Sequence, residues 1–397
     1  MEQPRLTGGS ASRLIISLLA AGWLLGLFAY AYGPGPGVTA DSYYYLAAAR
    51  SFAEHGHLLN PDGTPYRWWG PLYPVLLSAG MGNPGAWVGV LNGISLLGCL
   101  GAWGWLAWRV VPNRPIAAGA VLALGCATPW LATAKFVWSE PVFGLLFGLY
   151  AVALYHYLQR GGPRWWLAAT ALGVLLPLQR TSGLFLLVGV GLGVLLAYPD
   201  AWRRQRGALL LHGAVGGLMA LAWLIYARMV APRPEFYRNK GWQGLREALA
   251  DYGYVLVRWL LPVQQAEWPK HWVFAGLLLV LLAGMLYLSW QQSHRLIRLL
   301  SVAVVVYLLI HMGTTVVSRS GGNVYDVERY CAVVYGPFVV VLAALVSEAA
   351  AKRRWVVWVL AVWLLYPAVR AVRVARFSHN RPVQPLVVPQ HPGKQAP

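Results

Sequence analysis

The chain has 397 residues, of which 58% are hydrophobic and only 11% are charged. Soluble domains carry roughly a quarter charged residues, so this composition excludes an ordinary soluble domain and indicates an integral membrane protein. The formal net charge of +19 does not indicate a nucleic-acid partner, because the basic residues form short clusters between apolar runs, as membrane loops do.

The first apolar run extends from Ser10 to Tyr32 and is preceded by basic residues. A cleaved signal peptide is one interpretation, because Ala29-Tyr30-Ala31 resembles a cleavage site. The run is close to the roughly 20 residues that span a bilayer, and it is longer than the apolar core of most signal peptides. We therefore interpret it as an uncleaved first span with the N-terminus in the cytoplasm.

Apolar windows predict an all-α polytopic membrane protein with about eleven transmembrane helices. With the N-terminus inside, the short loops that carry the Arg and Lys clusters face the cytoplasm, as the positive-inside rule requires. The basic tail from Arg370 onward then lies outside, so either the tail is an exception or one short span is misassigned. In chain order the predicted spans cover 14–32, 86–108, 115–134, 137–158, 165–179, 182–198, 207–229, 272–290, 299–316, 331–347 and 355–369.

Three longer segments, 33–85, 230–271 and 317–330, fall on the outer face of this topology. They hold most of the acidic residues of the chain, so we expect its polar chemistry on that face. Helical spacing of apolar residues predicts a juxtamembrane helix from Ser42 in the first segment and another over 245–259 in the second. The second helix either lies in the membrane interface or packs on other residues of its loop.

Two outer acids have both a structural and a functional explanation. Asp41, at the start of the first juxtamembrane helix, can cap free backbone N–H groups or act as a general base facing a polar substrate. Glu140, before Pro141 at the start of the fourth span, can be stabilised by the helix dipole or by Lys135. It can equally be a second outer carboxylate that projects towards Asp41.

Two arginines stand at the outer ends of apolar runs, where a charge is costly. Arg180 can extend to lipid headgroups, or it can bind a lipid phosphate with its forked set of donors. Arg329 offers the same donors, although Asp326 and Glu328 beside it make a local ion pair another explanation.

Metal and disulfide signals are weak in this sequence. His55 and His57 form a His-x-His pair in a loop, which is more typical of surface histidines than of a metal site. Cys99, Cys126 and Cys331 lie within or at the edge of apolar stretches and have neither metal-ligand nor disulfide spacing. These residues therefore give no indication of a metal site or a disulfide.

Five short segments carry an acid, a basic residue or a proline at the outer ends of spans. They read ADSYYYLAAARSFAEHG, RWWGPLYPVLLSAG, WSEPVFGLLFGLY, LQRTSGLFLL and ERYCAVVYGP. Their order and sidedness, over roughly residues 14–347, resemble those of the GT-C glycosyltransferases. The resemblance is to the superfamily of the protein O-mannosyltransferases, the lipid A aminoarabinose transferase and related bacterial enzymes.

The resemblance implies a GT-C-like bundle that transfers a sugar from a polyprenyl-phosphate donor to a hydroxyl of an envelope glycan, lipid or protein. The reaction would take place at the outer face of the cytoplasmic membrane, with inversion at the sugar carbon. Because a monophosphate donor does not demand a metal, the resemblance implies no metal and no cofactor. By this resemblance Asp41 is the general base, Glu140 orients hydroxyl groups, and Arg180 and Arg329 bind the donor phosphate. The aromatic residues that could contact the substrates are Tyr44, Tyr45, Trp68, Trp69 and Tyr73, and for any one of them a place in an interfacial aromatic belt is the alternative.

The chain departs from the family pattern in three respects. Ser42 follows the loop acid where the family has a second acid, and we expect no large soluble C-terminal domain after the spans. Trp69-Gly70 replaces a lysine-proline pair that often precedes the PLY segment. Arg67 is therefore the candidate substitute for the missing phosphate-binding lysine.

We expect residues 1–347 to form the catalytic membrane domain, and 348–397 to hold the last transmembrane helix and a basic, proline-rich, disordered tail. Two other functions remain open, a transporter or flippase for a lipid-linked or anionic substrate and a non-catalytic envelope assembly protein. A transporter typically has charges near the bilayer midplane and an internal repeat. Here the charges gather near one face and no repeat is visible, which favours the transferase.

Overall fold

The computed structural model describes residues 10–67, 69–230, 240–263, 271–317 and 324–381, together with 384, 386 and 388. Within these residues the secondary structure is helical, apart from two isolated β-bridges. In chain order the helices are α1 (Ser10–Tyr32), α2 (Ala40–His55), α3 (Leu72–Ser78), α4 (Pro84–Val110), α5 (Arg114–Gly125), α6 (Thr128–Ala134), α7 (Glu140–Arg160), α8 (Pro163–Gln179), α9 (Gly183–Ala197), α10 (Pro199–Met229), α11 (Gly241–Leu260), α12 (His271–Gln291), α13 (Arg295–Val317), α14 (Val324–Ala332), α15 (Tyr335–Lys352), α16 (Trp355–Trp363) and α17 (Leu365–Asn380).

Nine helical stretches in the described part of the chain are long and apolar enough to cross a membrane. They correspond to nine of the predicted spans, so the prediction of an all-α membrane bundle is confirmed. The remaining two predicted spans, 165–179 and 182–198, are the shorter helices α8 and α9. A tight turn at Arg180 joins these two helices.

Two predicted spans have different boundaries in the structure. The predicted span 115–134 is divided into α5 and α6, because Pro129 lacks an N–H group and favours the first turn of a new helix. The predicted span 331–347 begins only at Tyr335, with α15. Before it, α14 is a separate helix of 9 residues that carries Arg329.

The segment expected to be a disordered tail is helical as far as Asn380, so that prediction is wrong for the first part of the tail. The reason is packing on a face of small residues. Ala371 and Ala375 are fully buried, whereas Arg373 and Arg376 on the same helix are exposed.

Helix α17 lies beside α1, the first helix of the chain. The rings of His379 and Tyr30 are stacked with their centroids 4.3 Å apart, and His379 Nδ1 lies 2.7 Å from the Tyr30 carbonyl oxygen. Arg381 lies over the ring of Phe136, 5.5 Å from its centroid. The end of α17 is therefore on the same side of the bundle as the segment after α1, as expected if the basic tail is an exception to the positive-inside rule.

The two helices predicted in the outer loops are present as α2 and α11. In α2, Tyr45 and Ala49 are completely buried. In α11, Tyr252 is also buried, and its hydroxyl lies 3.0 Å from Nδ1 of His311 on α13. Helix α11 packs on the membrane helices α12 and α13. This arrangement differs from both predicted alternatives, a helix in the membrane interface and a helix packed on other residues of its loop.

A close backbone contact fixes the segment between α2 and α3. A Cβ atom on Gly70 would lie 2.0 Å from the carbonyl oxygen of Leu178, near the end of α8. Only glycine fits at such a distance, because it has no side chain. This contact places the start of α3 next to the turn that carries Arg180.

Candidate functional site

Four of the charged residues singled out from the sequence meet at one end of the bundle. Arg329 donates from Nε to Glu140 Oε1 at 2.6 Å and from Nη2 to Asp41 Oδ2 at 2.7 Å. Arg180 donates from Nη1 to the same Glu140 oxygen at 2.7 Å. Two guanidinium groups and two carboxylates thus form one cluster, which we call the Asp41 cluster.

Four separate chain segments supply this cluster. Asp41 lies in the first turn of α2, Glu140 is the first residue of α7, and Arg329 is on α14. Arg180 lies in the turn between α8 and α9. The prediction that these four residues share one site therefore agrees with the geometry, although their catalytic roles remain a prediction.

The start of α2 shows that Asp41 is not its N-cap. The N-cap position is Thr39, whose backbone N–H donates to Ser42 Oγ at 3.0 Å. Ser42 Oγ in turn donates to the carbonyl oxygen of Val137 at 3.1 Å, which ties α2 to the segment before α7. The carboxylate of Asp41 is therefore available to Arg329.

Ser139 is a polar centre that the sequence did not reveal. Its hydroxyl accepts a hydrogen bond from Arg180 Nη1 at 2.8 Å and lies 3.1 Å from the hydroxyl of Tyr45. Its carbonyl oxygen accepts from Gln179 Nε2 at 3.1 Å. The feature of the sequence that could have indicated this role is the position of Ser139 directly before Glu140. From there its hydroxyl can accept a hydrogen bond from Arg180, which also pairs with Glu140.

Trp138 was not predicted from the sequence either, and its ring packs against the guanidinium group of Arg329. The guanidinium carbon of Arg329 lies 4.0 Å from the centroid of the Trp138 ring, which is within cation–π range. Trp138 Nε1 donates to Thr39 Oγ1 at 2.9 Å, so the ring is fixed against the start of α2. The guanidinium group of Arg329 is thus held by two carboxylates at its edge and by the Trp138 ring at its face.

Burial distinguishes the members of the Asp41 cluster. The side chains of Glu140, Arg329 and Arg180 are 1%, 7% and 9% exposed, whereas that of Asp41 is 25% exposed. Burial by itself would lower the pKa of Arg329, but Glu140 and Asp41 raise it above its ordinary value, so the guanidinium stays charged. Asp41 is therefore the member that a molecule from outside can reach.

Two alternatives for these residues are wrong, and a third is wrong for Glu328. Lys135 does not pair with Glu140, because its Nζ donates to the carbonyl oxygens of Ala31 and Gly35 at 2.9 and 2.7 Å, at the end of α1. Arg180 is buried and does not extend to headgroups. Arg329 contacts the acids of α2 and α7, and its neighbour Glu328 pairs elsewhere.

Comparison with protein-family models and with curated protein sequences gives no match. Among solved structures, the crystal structure of ArnT from Cupriavidus metallidurans bound to undecaprenyl phosphate aligns with a TM-score of 0.58 and 14% sequence identity. That alignment covers 94% of this chain and 78% of that chain. The apo crystal structure of the same ArnT also gives a TM-score of 0.58 at 14% identity, covering 94% and 77%. The cryo-EM structure of the arabinosyltransferase EmbB from Mycobacterium smegmatis aligns at 0.45 and 15%, covering 95% and 42%.

ArnT is a GT-C glycosyltransferase, and its alignment extends over nearly the whole described bundle. The chain has the GT-C fold. At 14% identity the alignment establishes the fold and not the chemistry, so the roles of individual residues are argued from the Asp41 cluster itself.

Most of the aromatic residues predicted to contact a substrate pack against one another in this GT-C fold. The ring of Tyr45 lies 4.9 Å from that of Tyr73 and 5.1 Å from that of Trp69, and both tyrosines are fully buried. Tyr44 is partly exposed, with its ring 6.1 Å from Trp69. Tyr44 and Trp69 are therefore the members of this group that a ligand can reach. Trp68 lies outside the described residues.

The residue predicted to replace the missing lysine, Arg67, lies near Asp62 in the same outer segment. The pKa of Asp62 is below its ordinary value, mainly because Thr64 donates hydrogen bonds to it and to a smaller extent because of the charge of Arg67. A phosphate contact for Arg67 stays a prediction.

Among the described residues, no group of three or more His, Cys, Asp and Glu side chains is arranged to hold a metal ion. His55, the last residue of α2, and His57, just after it, are exposed and have ring centroids 5.7 Å apart. The buried thiols of Cys99, Cys126 and Cys331 are free cysteines.

Proposed function

We propose that this protein is a glycosyltransferase that moves a sugar from a polyprenyl-phosphate donor to an acceptor hydroxyl at the outer face of the cytoplasmic membrane. The observation that carries the proposal is Asp41, a partly exposed carboxylate held 2.7 Å from a buried arginine at one end of a GT-C bundle. A general base beside a fixed cation is the pair of groups that this transfer requires. The ArnT structure that shares the fold has undecaprenyl phosphate bound, which supports a lipid-linked donor.

In the proposed reaction Asp41 accepts the proton of the acceptor hydroxyl as its oxygen bonds to the anomeric carbon of the sugar. The bond from that carbon to the phosphate oxygen breaks, and its electron pair leaves with the lipid phosphate. Because this is a single displacement, the configuration at the carbon is inverted. The acceptor is a hydroxyl of an envelope glycan, lipid or protein.

The arginines supply positive charge for the departing phosphate. Arg329 now donates to Asp41, so a phosphate oxygen that binds Arg329 would compete with Asp41 for the same N–H group. Donor binding would thereby loosen the ion pair and leave the carboxylate free to take a proton. Proton transfer and charge stabilisation are then linked through one side chain.

Glu140 has a different role in this proposal from the one that the sequence suggested. Its side chain is 1% exposed and accepts from both arginines, so it has no open face towards a sugar hydroxyl. We propose that Glu140 is a positioning residue that holds Arg180 and Arg329 in place. We expect no metal to take part, because a monophosphate leaving group does not demand one.

An Asp41→Asn variant tests the proposed base. The amide keeps the shape of the side chain but accepts protons poorly, so transfer from a polyprenyl-phosphate sugar should fall by about 10²–10⁴-fold. The matched control is Glu54→Gln, which changes an acid on the exposed part of the same helix, where the side chain is 51% exposed. Wild-type turnover of a well-expressed Asp41→Asn protein would overturn the assignment of Asp41 as the base.

A further inference from the structure

A second ion cluster lies on the adjoining face of α14. Glu328 forms an ion pair with Arg258 of α11 and accepts from Arg370 Nη2 of α17 at 2.9 Å. Arg370 Nη1 also donates to the backbone carbonyl oxygen of Arg258 at 2.9 Å. The side chains of Arg258, Glu328 and Arg370 are 25%, 12% and 13% exposed. We call these three residues the Glu328 cluster.

The two clusters differ in charge balance. In the Asp41 cluster, two guanidinium groups meet two carboxylates. In the Glu328 cluster, two guanidinium groups share one carboxylate, which leaves one positive charge in excess. A largely buried excess charge favours the binding of an anion, because solvation by water is reduced there.

Two buried N–H groups next to this cluster lack acceptors in the described chain. They are Nε of Arg258 and Nε1 of Trp259, which follows it on α11. Buried donors almost always have a partner, and leaving one unpaired is costly. Trp259 is only 3% exposed, so bulk water has little access to its N–H group. A bound molecule with an acceptor oxygen would supply the missing partner.

The same tryptophan lines an apolar cavity of about 420 Å³. Trp259 and Leu260 line it together with apolar side chains from α5, α15 and α16, such as Ala120, Phe338 and Val359. Val359 is 54% exposed on the outer surface of α16, so the cavity lies at the side of the bundle that faces the membrane. A cavity with such a lining takes up hydrocarbon in preference to water.

We propose that the Glu328 cluster and this cavity together form a binding site for an anionic phospholipid. The phosphate contacts Arg258 and Arg370, and one acyl chain occupies the cavity that Trp259 lines. Charge complementarity selects the headgroup, and the apolar lining selects the chain. This site is separate from the proposed transfer reaction, so its test measures lipid binding and not activity.

The test is lipid titration of the purified full-length protein in neutral detergent, followed by native mass spectrometry and thermal melting. The probes are phosphatidylglycerol, phosphatidylcholine and inorganic phosphate. We expect phosphatidylglycerol to bind and to raise the melting temperature, and the other two to do neither. Arg370→Gln should raise the dissociation constant for phosphatidylglycerol about tenfold or more, as expected when a hydrogen bond to a charged group is lost.

Matched variants separate the two parts of the site. Arg376→Gln removes the same charge from an exposed position of α17 and should bind phosphatidylglycerol as the wild type does. Ala343→Leu fills the cavity without touching the arginines and should also weaken binding, whereas Ala361→Leu adds the same volume on the exposed face of α16 and should not. If Arg370→Gln does not fold, the comparison of Ala343→Leu with Ala361→Leu tests the lipid site.

Several results would overturn the proposal. Equal binding of phosphatidylcholine would mean a non-selective membrane contact, and full protection by inorganic phosphate would mean an anion site without a lipid chain. Unchanged binding in both Arg370→Gln and Ala343→Leu would place the lipid elsewhere. Displacement of phosphatidylglycerol by lower concentrations of undecaprenyl phosphate would assign the site to a polyprenyl lipid.

Discussion

Glu328 and Arg329 are neighbours on α14, yet each belongs to a different ion cluster. Glu328 accepts from Arg258 and Arg370, whereas Arg329 donates to the carboxylates of α2 and α7. Since α14 has only 9 residues, a small rotation of this helix would disturb both clusters at once. The position of Arg329 beside Asp41 is therefore fixed from two sides of the helix.

We expect Glu140→Ala to be strongly destabilising. Removal of the carboxylate leaves Arg180 and Arg329 buried without the acid that they share, and breaking a buried ion pair in this way costs about 3–5 kcal/mol. Thermal melting in detergent measures the loss. Glu247→Ala, an exposed acid on α11, is the control and should melt near the wild-type temperature. Equal melting of the two variants would contradict a structural role for Glu140.

Arg329→Lys should impair the protein although it conserves the charge. Arg329 reaches Glu140 with Nε and Asp41 with Nη2, and a lysine ammonium lacks this fixed fork. If Arg329 binds the donor phosphate as proposed, the KM for the lipid-linked donor should rise in steady-state assays. Arg373→Lys, an exposed position on α17, serves as the control. An unchanged donor KM would remove Arg329 from the phosphate site.

Gly70→Ala should destabilise the contact between the first outer segment and α8. The added Cβ would lie 2.0 Å from the carbonyl oxygen of Leu178, and such overpacking costs about 1–3 kcal/mol. Gly82→Ala is matched, because a Cβ there meets no atom within 4 Å. Thermal melting compares the two variants. Similar melting temperatures would mean that the backbone at Gly70 relaxes freely.

Chelation of divalent metal ions should leave sugar transfer unchanged. Arg180 and Arg329 provide fixed charge at the candidate site, and a monophosphate leaving group does not require a metal. Transfer is measured before and after dialysis against EDTA. Activity that falls and is then restored by Mg²⁺ or Mn²⁺ would show that the arginines are not sufficient.

The sequence predicted which residues form the Asp41 cluster better than it predicted which side chains pair with one another. Apolar periodicity and motif order placed Asp41, Glu140, Arg180 and Arg329 at the same ends of their spans, because span direction alternates along the chain. Partner choice depends on distances across the bundle, which sequence spacing does not contain. Lys135, for example, is close to Glu140 in sequence but donates to the end of α1.

Helix boundaries and buried polar groups were the features that the sequence missed. Hydropathy windows average over roughly 20 residues, so the break before Pro129 and the separation of α14 from α15 did not appear. Ser139 and Trp138 have ordinary side chains for an interface, and only the folded structure brings them to the arginines. Burial of alanines along α17 likewise outweighed the polar composition that suggested disorder.

The stacking of His379 on Tyr30 has a consequence for biosynthesis. Helix α1 leaves the ribosome well before its neighbour α17, which is made more than 300 residues later. During synthesis the face of α1 that α17 will cover must remain in contact with lipid or with the insertion machinery. The contact between these two helices therefore forms only after α17 has been made, and a chain that ends before Leu365 would leave α1 without this neighbour.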